Sequence, residues 1–276
     1  MSSVNEPSAP YSRGPGTIDL AAERLARGIP GRVAAVARPM RTVDIATELE
    51  GAMVALATRH GKELAIAPAF RTHLDANIRI ADVDTDELGT FTGEVARPFG
   101  PVETAVEKAR RGLEVSGLSF AIASEGSYRP DGPMFTGARN VEILTLVGRR
   151  WAMPITEVAI NVESNFDHFT VGAAGYRSAA FWDFLETVGF PAHALVVVPH
   201  GPVGRPPIFR GIKTLDDLGA AIEQAMAASG IGLAHVETDM RAHMNPTRMR
   251  AISQLADRLA LIVASGGSTP FYGDDE

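Results

Sequence analysis

The feature that most constrains the fold is the alternation of short apolar runs with amphipathic segments of helical spacing. Such alternation is typical of α/β proteins, in which crossover helices connect neighbouring strands. The pattern predicts an α/β fold, with a mixed or mostly parallel sheet and helices on both faces. The predicted strands lie near 32–37, 52–58, 77–82, 118–124, 141–147, 155–160, 193–199 and 232–236. The predicted helices lie near 18–27, 61–73, 102–115, 174–188, 214–228 and 247–263.

The two ends of the chain differ in composition from the segment between them. Residues 1–16 and 265–276 are rich in small and polar residues and lack apolar periodicity, so we predict that both are disordered tails. The segment 17–264 shows no convincing linker and is predicted to form a single α/β domain. Residues 200–207 are the best candidate for a hinge between two lobes, but a surface loop is the simpler interpretation.

Composition excludes several classes of function. The 276 residues include no cysteine, which excludes disulfides, thiolate zinc sites and a cysteine nucleophile. With 33 acidic and 26 basic residues the net charge is −7, which argues against binding to nucleic acid or to an anionic membrane. No apolar run of about 18 residues occurs and the N-terminus lacks a secretory signal, so a cytoplasmic location is expected. The sequence leaves open whether the chain forms a homodimer.

Polar residues gather directly after the predicted strands, where open α/β sheets build their binding sites. The strand MVALAT leads into a helix start, and a helix dipole beside a lysine suits an anion. The strand LSFAIA leads into Ser-Glu-Gly-Ser, which is predicted to form a tight turn. The candidate residues at these two places are Thr58, His60, Gly61, Lys62, Ser124, Glu125 and Ser127.

The densest polar segment is ETDMRAHMNPTRM, residues 237–249, which follows the strand GLAHV. One interpretation is a capped loop, in which Asp239 pairs with Arg241 and Asn245 begins a helix. The other is a functional site, because carboxylates hold hard cations and arginines bind phosphate or carboxylate groups. The mixture of residue types favours a site. Its candidates are Glu237, Asp239, Arg241, His243, Asn245 and Arg248.

Several familiar catalytic motifs are missing from the sequence. It contains no G-x-S-x-G, no GxxxxGK[ST], no H-E-x-x-H and no G-x-G-x-x-G placed after a strand with an acidic partner downstream. Serine-hydrolase, P-loop and dinucleotide-binding interpretations are therefore weak.

Five longer motifs resemble those of an uncharacterised bacterial family that is known only as a domain of unknown function. The resemblance covers about residues 52–263 and implies membership without implying a chemistry. Its motifs are ATRHGKE (57–63), DTDELGTFTGE (84–94), ASEGS (123–127), GFPAHAL (189–195) and ETDMRAHMNPTRM (237–249).

A fainter resemblance, over about residues 52–165, is to the inosine/xanthosine triphosphatases, which release pyrophosphate from noncanonical purine triphosphates. It rests on the segments 57–62, 98–104 and 123–126. The resemblance implies that Lys62 and the amides around Gly61 bind phosphate, while Glu103 and Glu125 hold Mg²⁺. Arg241 and Arg248 would neutralise the charge of the leaving group.

Two functions remain in competition at this point. The first is a Mg²⁺-dependent hydrolase acting on a nucleotide or another phosphate-bearing small molecule. The second is a noncatalytic protein that binds an anionic small molecule. The predicted catalytic residues are Glu125, Asp239 and His243, and the predicted metal ligands are Glu103, Glu125, Glu237 and Asp239. The predicted substrate-binding residues are Thr58, His60, Gly61, Lys62, Ser124, Ser127, Arg241, Asn245 and Arg248. Both functions require that distant strand ends meet at one edge.

Overall fold

A computed structural model describes most of the chain from Thr42 onwards, within the unit Met40–Glu276. The predicted strand near 32–37, the predicted helix near 18–27 and the predicted tail 1–16 lie outside the described residues, as does His60. The described ranges are 42–58, 61–84, 99–130, 138–160, 163–173, 175, 178–201, 207–266 and 268–270.

The described elements follow one another in an alternating order that fits the α/β prediction. In chain order they are β1 (Thr42–Asp44), α1 (Ile45–Leu49), β2 (Met53–Ala57), α2 (Glu63–Leu74), β3 (Asn77–Ala81), α3 (Pro101–Ser116), β4 (Phe120–Pro130), β5 (Ala138–Gly148), β6 (Ile155–Ile160), β7 (His168–Val171), α4 (Ala179–Thr187), β8 (Leu195–Pro199), β9 (Phe209–Ile212), α5 (Leu215–Ala228), β10 (Ala234–Thr238), a 3₁₀ turn (Ala242–Met244), α6 (Pro246–Ala264) and β11 (Ser268–Pro270).

The larger sheet is mixed, as predicted, with the strand order β3-β2-β4-β5-β6. Strands β3, β2 and β4 are parallel, whereas β4, β5 and β6 are antiparallel to one another in turn. The parallel pairing of β2 with β4 ends where Ala57 lies opposite Ala123. Strand β4 continues to Pro130 against β5, so residues 124–127 extend beyond the edge of the parallel strands.

Helices cover both faces of this sheet because successive side chains of a strand point to opposite faces. Val54 and Leu56 of β2 pack in the core formed with α2 and α6. Ala55 and Ala57 pack in a second core formed with α3. Helix α3 approaches closely at Gly112, where an added Cβ would lie 3.3 Å from Cβ of Ala57. The predicted α/β architecture with helices on both faces is confirmed.

A second sheet, antiparallel throughout, has the strand order β7-β10-β8-β9. Helices α4 and α5 pack against it around buried side chains such as Phe181, Leu195 and Ile222. Ala194, just before β8, contacts the segment between β10 and α6 on both sides: its N–H donates to Met244 O in the 3₁₀ turn, and its carbonyl oxygen accepts from Asp239 N–H. The segment that follows Thr238, at the end of β10, therefore lies close to the start of α6.

Four features differ from the sequence predictions. Strand β1 and the short helix α1 were not predicted. Strands β7 and β9 were not predicted either, since each has four residues and no strong apolar run. Residues 124–127 lie inside β4 instead of forming a tight turn, because β5 pairs with them along their full length. The segment predicted as a C-terminal tail contains β11, which pairs with β1. Helices in the described ranges are all too short or too polar to cross a lipid bilayer.

Candidate functional site

The start of α2 is tied to β4 through a buried lysine. Lys62 precedes the first helical residue, and its Nζ donates to Oγ of Ser124 at 2.7 Å and to the carbonyl oxygen of Ser124 at 3.4 Å. The two residues are only 8% and 4% exposed. Both acceptors are neutral, and within the described part of the chain Lys62 forms no ion pair. A buried ammonium group without a carboxylate partner is costly, so its presence needs an explanation.

Gly126 and Tyr128, which lie on the same face of β4 as Ser124, are close to a buried arginine. Arg248 of α6 donates through Nε to Oε1 of Glu142 at 2.6 Å, and its Nη1 donates to the carbonyl oxygen of Met240. Gly126 lies directly opposite Glu142 in the β4–β5 ladder. A Cβ on Gly126 would overlap Nη2 of Arg248, so the glycine makes room for this ion pair. Tyr128 adds its hydroxyl, which donates to Oε1 of Glu142 at 2.6 Å.

The other face of β4 carries a second buried ion pair. Glu125 alternates with Ser124 along the strand and points toward α3, where Lys108 Nζ lies 2.6 Å from Oε2 of Glu125. Both side chains are buried. The edge of β4 thus carries ionic groups on both of its faces.

The charges of this cluster do not cancel. Three cations (Lys62, Lys108 and Arg248) accompany two carboxylates (Glu125 and Glu142), and all five residues are less than 9% exposed. Each carboxylate is bonded to a different cation, which leaves Lys62 with the excess positive charge. Burial first, and the Arg248 guanidinium second, lower the pKa of Lys62 to about 8. We call these five residues and Ser124 the strand-edge cluster.

The arginine and the tyrosine respond to the same carboxylate in different ways. Burial lowers the pKa of Arg248, but Glu142 outweighs this effect and the net pKa lies above its usual value. Burial raises the pKa of Tyr128, and the negative charge of Glu142 raises it further. Arg248 is therefore a permanent cation and Tyr128 a permanent neutral donor at physiological pH.

The segment after β10 contains a further ion pair, which lies near the strand-edge cluster but does not belong to it. Arg241 contacts both oxygens of Asp239, with 2.6 Å between Nη2 and Oδ2, and Gly211 N–H donates to Oδ2 at 3.0 Å. The hydrogen bond from Arg241 to this carboxylate raises the pKa of the guanidinium. Partial burial and the nearby Arg241 lower the pKa of His243. A Cβ on Gly61 would lie 3.5 Å from Cβ of His243, so this segment reaches the start of α2.

The four predicted metal ligands are not brought together. Glu103 is exposed on the first turn of α3, and Glu237 pairs with His235 at 3.4 Å. Glu125 and Asp239 are each bonded to a cation of their own. In the described ranges, no three histidine, aspartate or glutamate side chains are arranged to hold a metal ion. Two of the four carboxylates are thus paired with basic side chains: Glu125 with Lys108, which was not among the predicted site residues, and Asp239 with Arg241, which was.

The remaining predicted residues have varied surroundings. Asn245 caps α6 by accepting from Arg248 N–H, and its side-chain amide donates to Asn165 at 2.8 Å. Thr58 follows Ala57 at the end of β2 and is buried. Ser127 is half-buried on β4. The structure thus brings Lys62, Ser124, Glu125 and Arg248 into one cluster and places Gly61 near His243.

Two members of the cluster were missed as site residues. Glu142 is the only charged residue in the mostly apolar run VEILTLV, and a charge inside a buried strand is a signal that the sequence offered. Lys108 carried a weaker signal, since a lysine on an amphipathic helix is normally solvated. Its partner is 17 residues away in sequence and could be identified only from the packing of α3 on β4.

Fold and cluster together define an α/β protein with a mixed sheet and a cation-rich strand edge. Residues 108–270 match a family described as a domain of unknown function (DUF6671), and the chain belongs to this family. The matched range begins at Lys108 and includes every member of the strand-edge cluster except Lys62. No curated protein and no solved structure matches the chain.

Proposed function

We propose that the protein binds an anionic small molecule, carrying a phosphate or carboxylate group, at the strand-edge cluster. The observation that supports this function is the buried Lys62 ammonium, whose contacts in the described ranges are two neutral oxygens of Ser124. A bound anion would supply the negative charge that the cluster lacks. It would also raise the depressed pKa of Lys62 and stabilise the fold.

The local backbone favours the same kind of ligand. Lys62 occupies the position before the first residue of α2, so its side chain and the positive end of the helix dipole act in the same region. Leu64 N–H and Ala65 N–H already donate to the carbonyl oxygens of Gly61 and Lys62, so the helix favours an anion here through its dipole. Glycine at position 61, with φ of 65°, allows the chain to turn into the helix.

Magnesium-dependent hydrolysis of a phosphate-bearing molecule is the second candidate function. It is favoured by Glu125, a buried carboxylate one residue from Ser124, on the strand that carries the Lys62 contact. Magnesium could bind Glu125 only after displacing the Lys108 ammonium, which lies 2.6 Å away. Mg²⁺ as cofactor, hydrolase activity, the likeness to inosine/xanthosine triphosphatases, a cytoplasmic location, a bacterial origin and a homodimer all stay predictions.

The two functions are separated by a thermal-shift measurement on the full chain. Inorganic phosphate and pyrophosphate are added with Mg²⁺ or with a chelator, to wild type, to Lys62→Met and to Lys213→Met. Lys213 is exposed, so its replacement removes one positive charge without touching the cluster. We expect the anions to raise the Tm of wild type and Lys213→Met equally, and to leave Lys62→Met unchanged.

The dependence on metal decides between binding and hydrolysis. Stabilisation by phosphate that is the same with Mg²⁺ and with chelator supports the binding function. Stabilisation that requires Mg²⁺, together with phosphate release from pyrophosphate, would favour the hydrolase. If the anions raised the Tm of wild type and of Lys62→Met equally, the cluster would not be the binding site.

A further inference from the structure

The contact between Lys62 and Ser124 places an amine within reach of a hydroxyl. The 2.7 Å separation of Nζ and Oγ falls in the range of about 2.6–3.2 Å that joins a general base to a nucleophile. The second contact, from Nζ to the carbonyl oxygen of Ser124, holds the amine against the backbone of the same residue. We propose that Ser124 and Lys62 form a serine–lysine dyad that catalyses acyl transfer, with Ser124 as nucleophile and Lys62 as general base.

The surroundings of Lys62 make its deprotonation easier than that of an exposed lysine. Among the described residues, the charged groups that face it are Lys108 from α3, Glu125 from β4, Glu142 from β5 and Arg248 from α6. The two carboxylates are bonded to Lys108 and Arg248, so neither neutralises the Lys62 ammonium directly. Burial and the Arg248 charge bring the pKa of Lys62 to about 8, which leaves a fraction of free amine at neutral pH. General bases work best when their pKa lies near the operating pH.

The reaction balances with an ester or amide as substrate and water as the second reactant. The Lys62 amine takes the proton of the Ser124 hydroxyl as Oγ forms a bond to the acyl carbon. The bond from that carbon to the alcohol oxygen or amine nitrogen breaks, and the leaving atom takes the proton from the Lys62 ammonium. Water then attacks the acyl-Ser124 ester, and Lys62 passes a proton from the water to Oγ. The products are a carboxylic acid and an alcohol or amine.

The position of the dyad in the fold differs from the serine-hydrolase motif that the sequence lacks. Ser124 lies within β4, just beyond the end of the β2–β4 ladder, and not at a strand-to-helix turn. The start of α2 follows the end of β2 at the same edge, and the positive end of its dipole suits the stabilisation of an oxyanion. Serine–lysine pairs on other folds perform the same chemistry without the turn motif.

This dyad does not depend on the proposed anion-binding function, although the two share Lys62. A bound anion would keep Lys62 protonated and would inhibit acyl transfer. Inorganic phosphate should therefore shift the pH dependence of Ser124 reactivity to higher pH.

The test is the modification of the full chain by a small alkyl fluorophosphonate, with the modified residue located by peptide mass spectrometry. In this reaction Oγ bonds to phosphorus, fluoride leaves, and Lys62 takes the hydroxyl proton. We expect modification of Ser124 at a rate that rises with pH around a midpoint near pH 8. Lys62→Met should slow it at least about 100-fold, and Ser124→Ala should abolish it. Ser119→Ala and Lys213→Met, both exposed positions, should keep the wild-type rate.

The outcomes separate this proposal from the anion-binding function. Folded wild type that stays unmodified at Ser124 between about pH 6 and 10 overturns the dyad, and so does modification that persists unchanged in Lys62→Met. Where Lys62→Met does not fold, the wild-type pH profile decides: a midpoint near pH 8 supports the dyad, and a flat profile overturns it. A retained phosphate shift in Tm without Ser124 modification rejects the dyad alone. Modification without a phosphate shift rejects the anion site alone.

Discussion

At the scale of single residues, the central feature is the cost of burying Lys62. The residue is only 8% exposed, and its ammonium faces two further cations, Lys108 and Arg248. Core positions of folded proteins rarely keep a lysine unless it is paired. A buried charge that lowers the stability of the fold is typical of a site that binds a ligand or catalyses a reaction.

We expect Lys62→Met to stabilise the protein without ligand at pH 7. The pKa of Lys62 falls from 10.5 to about 8 on folding, so the protonated form disfavours the fold by about 3 kcal/mol. Methionine removes that penalty and loses the two hydrogen bonds to Ser124, for a net gain of about 1–2 kcal/mol in the free energy of unfolding. Urea unfolding of both proteins measures the difference.

The difference in unfolding free energy between wild type and Lys62→Met should also depend on pH, in a direction that the pKa of Lys62 defines. Because the folded pKa is lower than the unfolded one, the penalty is fully present below pH 8 and disappears as the pH rises toward 10.5. The stabilities of wild type and Lys62→Met should therefore converge over this window. A difference that is zero at pH 7, or that grows with pH, would show that Lys62 is not destabilising.

Glu142 is expected to be the residue whose loss harms the fold most within the cluster. Glu142→Gln leaves the Arg248 guanidinium buried without its carboxylate, and this should cost about 3–5 kcal/mol in denaturant unfolding. The double variant Glu142→Gln with Arg248→Met removes both charges and should recover much of the loss. If the single variant cost less than about 1 kcal/mol, the pair would not be the buried anchor of α6.

At the scale of elements, the extension of β4 beyond β2 creates the site. The parallel ladder stops at Ala57 and Ala123, and the residues of β4 that follow pair with β5, on the side of β4 away from β2. One face of this free edge meets α2 and α6, and the other meets α3. The alternation of side chains in a strand therefore sends Ser124 to Lys62 and Glu125 to Lys108.

The β4–β5 ladder also explains why position 126 needs glycine. A Cβ on Gly126 would overlap Arg248 Nη2 and lie 2.9 Å from Oε1 of Glu142, in a buried ion pair with little freedom to move. We expect Gly126→Ala to cost about 1–3 kcal/mol in thermal or urea unfolding. The matched control is Gly219→Ala in α5, where nothing lies within 4 Å of the new Cβ, and this variant should gain about 0.5–1 kcal/mol. Equal effects of the two variants would contradict the crowding of Gly126.

Most elements of the larger sheet were predicted from sequence, and the reason is physical. Strands β2, β4 and β5 are apolar runs buried on both faces, and α3 and α6 show helical spacing. Strands β7 and β9 were missed because a four-residue strand shows its pattern only once its neighbours are known. The length of β4 was missed because its small polar residues are more common in turns than in strands.

At the scale of the whole molecule, the sequence predicted which strand ends carry polar residues but not how their charges pair. The pairings of Lys108 with Glu125 and of Arg248 with Glu142 join residues that are 17 and 106 positions apart. Such long-range pairs depend on the packing of helices on the sheet, which local patterns do not encode. For this reason Glu125 and Asp239 lie in two separate ion pairs, while Lys62, Ser124 and Arg248 lie in one cluster.

The most direct test of the account is the ionisation of Lys62 itself, measured by NMR. The chain has only three lysines (Lys62, Lys108 and Lys213), so the side-chain signals of ¹³C- and ¹⁵N-labelled lysine can be assigned by single substitution. We predict that Lys62 titrates near pH 8 in the free protein and at a higher pH when inorganic phosphate is added. Titration of Lys62 near its ordinary pKa of 10.5, unchanged by phosphate, would contradict the buried excess charge on which the site depends.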